Sequence, residues 1–102
     1  MAFYSYEQDV PISEDVYAKI KAKLGPEPLD GLLVHIVVRR PNGQLKYIDV
    51  WESEAKCARA FEARIHPAVF GVFQEIGFRP EGEPAKTALD VVEVDHAPAT
   101  SK

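Results

Sequence analysis

The chain has a single cysteine, Cys57, and no apolar run of transmembrane length. One thiol rules out an internal disulfide framework and any zinc site built from a cysteine cluster, and it fits a reducing compartment. Without an apolar stretch of about 18 residues, no transmembrane helix is expected. Basic blocks are missing too. The 12 Lys and Arg face 16 Asp and Glu, for a net charge of −4, so nothing supplies the field that holds a nucleic-acid backbone or an anionic membrane. The N-terminal MAFYSYEQDV lacks a basic segment followed by an apolar run. The expectation is a cytoplasmic protein with no nucleic-acid and no membrane partner. No G-x-G-x-x-G, P-loop, G-x-S-x-G or His/Glu pair at metal-binding spacing is present, so neither a cofactor nor a metal is expected.

What the chain does have is 102 residues, 46% of them apolar, which is one domain with one core. The domain is expected over residues 1–96, with 97–102 as a small, polar tail. The alternating run AFYSYEQDV, residues 2–10, reads as a first strand. Ser13 is placed to cap a helix that carries Glu14 and Asp15 in its first turn, Val16, Ile20 and Leu24 as its apolar stripe, and Gly25-Pro26 at its end. Ile12 and Tyr17 have the spacing of a hydrophobic staple.

LLVHIVV (32–38) and LKYIDVW (45–51) flank Asn42-Gly43 and form a hairpin. A two-residue turn there sets Val34 against Trp51, Ile36 against Asp49, Val38 against Tyr47 and His35 against Val50. One face then carries Leu33, His35, Val37, Ile48 and Val50, and the other Leu32, Val34, Ile36, Val38, Tyr47 and Trp51. Both faces are apolar, where a small antiparallel sheet normally leaves one wet. Helices cover one face, and a second copy is the expected cover for the other, so that a charge at Val37 or Val50 splits or unfolds the assembly.

Ser53 caps a second helix with Ala58, Phe61 and Ile65 on one side. Pro67 is expected to break it and start a short helix, 67–76, ended by Gly77 and apolar enough to be buried on more than one side. A Pro- and Gly-rich loop over 78–86 leads to a last strand at 88–94. The order strand, helix, strand, strand, helix, strand is the ferredoxin-like βαββαβ arrangement, an α+β fold with a four-stranded antiparallel sheet.

His35 sits among apolar neighbours in its strand, either as a histidine with a satisfied hydrogen bond or as a proton-transfer group. Asp49, in an apolar strand on the face of Tyr47 and Trp51, is the second catalytic candidate. Tyr17, Tyr47, Trp51, Phe61, Phe70 and Phe73, with His66 beside Pro67, are candidates to line a small-molecule pocket between helices and sheet, the alternative being plain core. His96 completes no metal-ligand spacing, and Cys57 has no identifiable base and reads as a structural thiol.

The segments Gly31-Leu32-Leu33-Val34-His35 and Tyr47-Ile48-Asp49-Val50-Trp51-Glu52-Ser53 resemble the dimeric α/β-barrel superfamily, in particular a bacterial subgroup related to antibiotic-biosynthesis-monooxygenase-like proteins. The resemblance spans about residues 3 to 96. It implies a homodimer whose two sheets close face to face into a barrel with the helices outside. Members include cofactor-independent quinone-forming monooxygenases, haem-degrading monooxygenases, chlorite-dismutase-like proteins, muconolactone isomerases and stress-responsive proteins, so fold alone selects no reaction. The leading expectation is a homodimer binding a small apolar or aromatic molecule, with cofactor-independent monooxygenase chemistry. A non-catalytic interaction module is the alternative. The haem-degrading relatives, whose axial histidine comes from the second helical region, make a haem protein using His66 the third reading. Counted from Trp51-Glu52-Ser53, however, their ligand falls nearer Val69.

Overall fold

The computed structural model describes residues 3–80 and 82–95. The elements are β1 (Tyr4–Val10), α1 (Glu14–Leu24), β2 (Leu32–Arg39), β3 (Leu45–Trp51), α2 (Glu54–Ala60), a π-helical stretch (Phe61–Ile65), α3 (His66–Ile76) and β4 (Lys86–Leu89). The sheet order is β2-β3-β1-β4, every neighbouring pair antiparallel. This is the expected ferredoxin-like fold. Helices lie on one face: Leu45 packs with Ile20, Ala68 and Val72, while Tyr6 and Trp51 pack with Cys57 and Ala60.

The first helix starts and stops where its sequence says. Ser13 Oγ accepts the Val16 amide at 3.4 Å, and the Gly25 amide donates to Lys21 O at 3.1 Å. Ile12 and Ile20 are buried, with Val16, Tyr17 and Leu24 packed against them. The loop that follows is tied down by Arg64 of the π-helical stretch, whose guanidinium donates to the carbonyls of Leu24, Glu27 and Pro28.

The hairpin register differs from the expected one by a single residue. Pro41, Asn42 and Gly43 form a three-residue loop, with the Arg40 amide donating to Gln44 O at 2.7 Å and the Gly43 amide to Arg40 O at 2.9 Å. Pro41 has the fixed φ that the second position of a type I turn requires, and Gly43, at φ +87°, supplies the left-handed residue that closes it. A type I′ turn would need positive φ at Asn42 as well, and no non-glycine residue among those described has it. The slip turns β2 over relative to β3. His35 therefore pairs with Asp49, Val37 with Tyr47, Ile36 with Ile48 and Val34 with Val50, with an irregularity between Leu32 and Val34. Val37 consequently packs into the helix-side core, not onto the open face where it was expected.

Pro67 does not break the helix. The π-helical turn absorbs it: the His66 amide reaches back to Phe61 O, and His66 keeps right-handed helical angles, φ −58° and ψ −45°. Widening the turn relieves the clash between a proline ring and the preceding turn, so the helical run continues from Glu54 to Ile76. Gly77, at φ +75°, ends it, with the Phe78 amide donating to Phe73 O and the two rings in edge contact at 4.9 Å. The last helix is less enclosed than expected: Phe70 is 58% exposed.

The final strand begins and ends earlier than its alternating pattern implied. β4 pairs Leu89 with Ser5 and Lys86 with Gln8. Because β1 starts at Tyr4, a strand reaching Val94 would run past the end of its partner, and residues 90–95 have no regular structure. His96 and the tail lie outside the described residues.

Candidate functional site

The corrected register brings the two catalytic candidates into contact. His35 Nδ1 and Asp49 Oδ1 are 2.5 Å apart, and Tyr17 Oη lies 2.9 Å from His35 Nε2. The carboxylate accepts from Nδ1–H, and with the imidazole carrying that one proton Nε2 accepts the Tyr17 hydroxyl. The result is a directed chain, Tyr17 O–H to His35 to Asp49. Its members come from three elements: α1 carries Tyr17, the edge strand β2 carries His35, and β3, inside the sheet, carries Asp49. Asp49 has a side chain only 6% exposed, against 27% for His35, so the acid end is buried and the imidazole half-open.

Tyr47 completes the wall, its ring 5.3 Å from that of His35 and 5.7 Å from that of Tyr17. Burial, and then the Asp49 charge, holds the Tyr17 phenol above its usual range. Burial does the same to Tyr47, with Tyr17 and Asp49 adding to it. Both phenols stay protonated at neutral pH and present O–H donors.

This chain forms part of the lining of a cavity of about 370 Å³ between the helices and the sheet, within the ~300–1,000 Å³ of small-molecule pockets. All nine residues singled out from the sequence line it. His35, Tyr47, Asp49 and Trp51 form the sheet side, Tyr17 comes from α1, Phe61 from the π-helical stretch, and His66, Phe70 and Phe73 from α3. The rest of the surround is mostly apolar, with Ile20, Leu24 and Val69 among it, and Gln8, Lys21 and Glu83 are its polar members.

Trp51 is 1% exposed and fixed by its indole N–H, which donates to Tyr6 Oη at 3.3 Å. Tyr6 in turn lies 3.9 Å from Cys57 Sγ. Burial raises the thiol pKa, which is the state of a packed, unreactive cysteine.

His66 is engaged differently from His35. Its Nε2 is 2.9 Å from Glu83 Oε1, its ring stacks on Phe70 at 5.5 Å, and the edge contact with Phe61 is at 5.3 Å. A ring held on three sides in this way does not have the arrangement of an open axial ligand, so the fit to haem is poor. Among the described residues, no three His, Cys, Asp or Glu side chains converge in a way that could hold a metal ion, and no helix is long and apolar enough to cross a membrane.

Sequence reasoning did not single out Glu83 and Lys86. Lys86 Nζ donates to Glu83 Oε2 at 3.1 Å and lies 4.6 Å from the Phe61 ring centre and 5.2 Å from that of Tyr6. No local signal marks these two residues, because they meet His66 only through the fold. The role of Tyr17 as the hydroxyl partner of His35 was hidden by the one-residue error in register.

No protein-family model matches this sequence, and no curated protein does. Solved structures do. A protein of Caulobacter crescentus described as a candidate antibiotic biosynthesis monooxygenase superimposes with a TM-score of 0.61 at 20% identity, over 90% of this chain and 92% of that one. Rv0793 from Mycobacterium tuberculosis superimposes with a TM-score of 0.57 at 16% identity, over 95% and 99%. The chain thus shares the ferredoxin-like fold of these two proteins over nearly its whole length.

Proposed function

We propose that the cavity binds a small aromatic phenol and that the Tyr17–His35–Asp49 chain takes its proton, as a cofactor-independent monooxygenase-like site would. The observation that carries this reading is the hydrogen-bonded chain itself, ending in a hydroxyl at the wall of an apolar cavity. A phenol bound there donates to Tyr17 Oη as Tyr17 passes its own proton to His35 Nε2. Asp49 stabilises the imidazolium that forms. The phenolate is electron-rich and reacts with dioxygen at a ring C–H para to its oxygen. One oxygen atom enters the ring as the second quinone carbonyl, and the other leaves as water with the hydroxyl and ring hydrogens, so that substrate supplies all the electrons.

Fluorescence titration with a naphthol tests the binding step. Saturable binding is expected, weakened about 10-fold in Tyr17→Phe, the loss of one hydrogen bond between hydroxyls in an apolar cavity. Equal affinity in the two proteins would remove Tyr17 from the site.

The open sheet face supports a homodimer. Ile36 is 46% and Val38 41% exposed there, next to Lys46, which pairs with Glu7 at 2.7 Å and Asp9 at 3.8 Å. An apolar centre beside charges of both signs is self-complementary about a twofold axis, and a stable dimer of this kind buries ~1,600 Å². Val50 is already 8% exposed within one chain, so a charge there would unfold the subunit itself. Ile36→Lys is the cleaner test: it is expected to convert dimer to folded monomer in native mass spectrometry, and an unchanged dimer would place the interface elsewhere.

A further inference from the structure

The cavity has a second polar end, lined by His66 and Glu83, with Lys86 outside the lining and paired with Glu83. His35 lies on β2 and Lys86 on β4, the two edges of the sheet, so about three strand spacings, roughly 14 Å, separate them. At the β4 edge, two nitrogen donors converge on one carboxylate: His66 Nε2 at 2.9 Å and Lys86 Nζ at 3.1 Å, on opposite oxygens of Glu83. Neither donor depends on Glu83 for its place. Lys86 is fixed in β4, paired with Gln8, and its ammonium rests over the Phe61 and Tyr6 rings. The His66 ring is held by Phe61 and Phe70. Glu83 comes from the irregular segment before β4, between exposed Gly82 and Pro84, whose carbonyl accepts the Gln8 side-chain amide at 2.9 Å, and its own side chain is 45% exposed. The cradle is therefore built into the rigid elements, while the group that fills it is carried by a loop.

We infer that His66 and Lys86 form a carboxylate-binding subsite, occupied in the free protein by Glu83 and open to an aromatic carboxylic acid that displaces it. The inference rests on the reading of the cavity as an aromatic site and extends it: the ligand is elongated, with a hydroxyl at the Tyr17 end and a carboxylate at the β4 edge. Glu83 is ionised at neutral pH. Burial works against that, but the bonds from Lys86 and His66 bring its pKa below the usual carboxylate value. The anion thus stands in for the ligand's own, and its position competes with ligand binding.

The test compares a naphthol and a naphthoate substituted at the same ring position, titrated against wild type, Glu83→Ala and Glu83→Ala/Lys86→Met. Glu83→Ala is expected to bind naphthoate at least about 10-fold more tightly than wild type, with naphthol affinity within about twofold. Adding Lys86→Met is expected to abolish the gain. Naphthol binding that persists in Glu83→Ala shows that the variant is folded, so naphthoate binding no tighter than in wild type would overturn the subsite alone. A gain that survives Lys86→Met would do the same. If naphthol binds none of the proteins, the aromatic reading of the cavity falls, and the subsite with it.

Discussion

Asp49→Asn is expected to slow the oxidation of a dihydroxynaphthalene to its hydroxyquinone by about 100-fold or more, the scale of a lost general base, with naphthol affinity nearly unchanged. The substitution keeps shape and volume but reverses one hydrogen bond. The amide N–H of asparagine donates to His35 Nδ1 and drives the ring proton to Nε2, where it faces Tyr17 Oη at 2.9 Å. Tyr17 then has no acceptor for its own proton. The loss should appear in kcat and not in KM, because in the proposed proton chain Asp49 acts through His35 and Tyr17 and not as the ligand's direct partner. Quinone formation at the wild-type rate would show that the 2.5 Å His35–Asp49 contact serves only to satisfy a buried carboxylate.

Trp51→Ala is expected to cost about 3–5 kcal/mol of folding stability, the range for deleting a large buried aromatic ring. Trp51 is 1% exposed, joins the packing of Tyr6, Cys57 and Ala60, and satisfies Tyr6 Oη through its indole N–H. Removing it empties that space and leaves a buried hydroxyl without its donor. In a domain of this size the melting temperature should fall by more than about 10 °C. Trp51→Phe keeps most of the ring volume and should lose less than half as much. Urea unfolding checks both. A cost below about 1 kcal/mol for the alanine variant would mean that the neighbouring cavity already lets the ring be replaced by relaxation or solvent.

The two variants probe different origins of the same wall. Trp51 is placed by its position at the end of β3, just before the Ser53 cap, and its burial follows from local pattern. The partnership of Asp49 with His35 follows from a turn. Pro41 and Gly43 together select the three-residue loop, and that choice alone puts the imidazole on the same face as Asp49, Tyr47 and Trp51. The Asn-Gly signal was legible and gave the hairpin. The weight of Pro41 beside it, and so the register, was not.

The sequence by itself determined the class of fold and which aromatic residues meet between helices and sheet. Capping residues, apolar stripes and strand alternation are short-range signals that need no knowledge of partners, and they placed β1, α1, β2 and β3 and drew Tyr17, Tyr47, Trp51, Phe61, Phe70 and Phe73 to the helix-sheet interface. Tertiary structure decided the rest. Whether Pro67 would break a helix depended on a π-helical turn at Phe61–Ile65, and where β4 ended depended on where β1 began. The Glu83, His66 and Lys86 cluster depended on the last strand returning beside the first. Each of these turns on which distant backbone is available as a partner, and hydrogen-bond partners far apart in the chain leave no periodic trace in it.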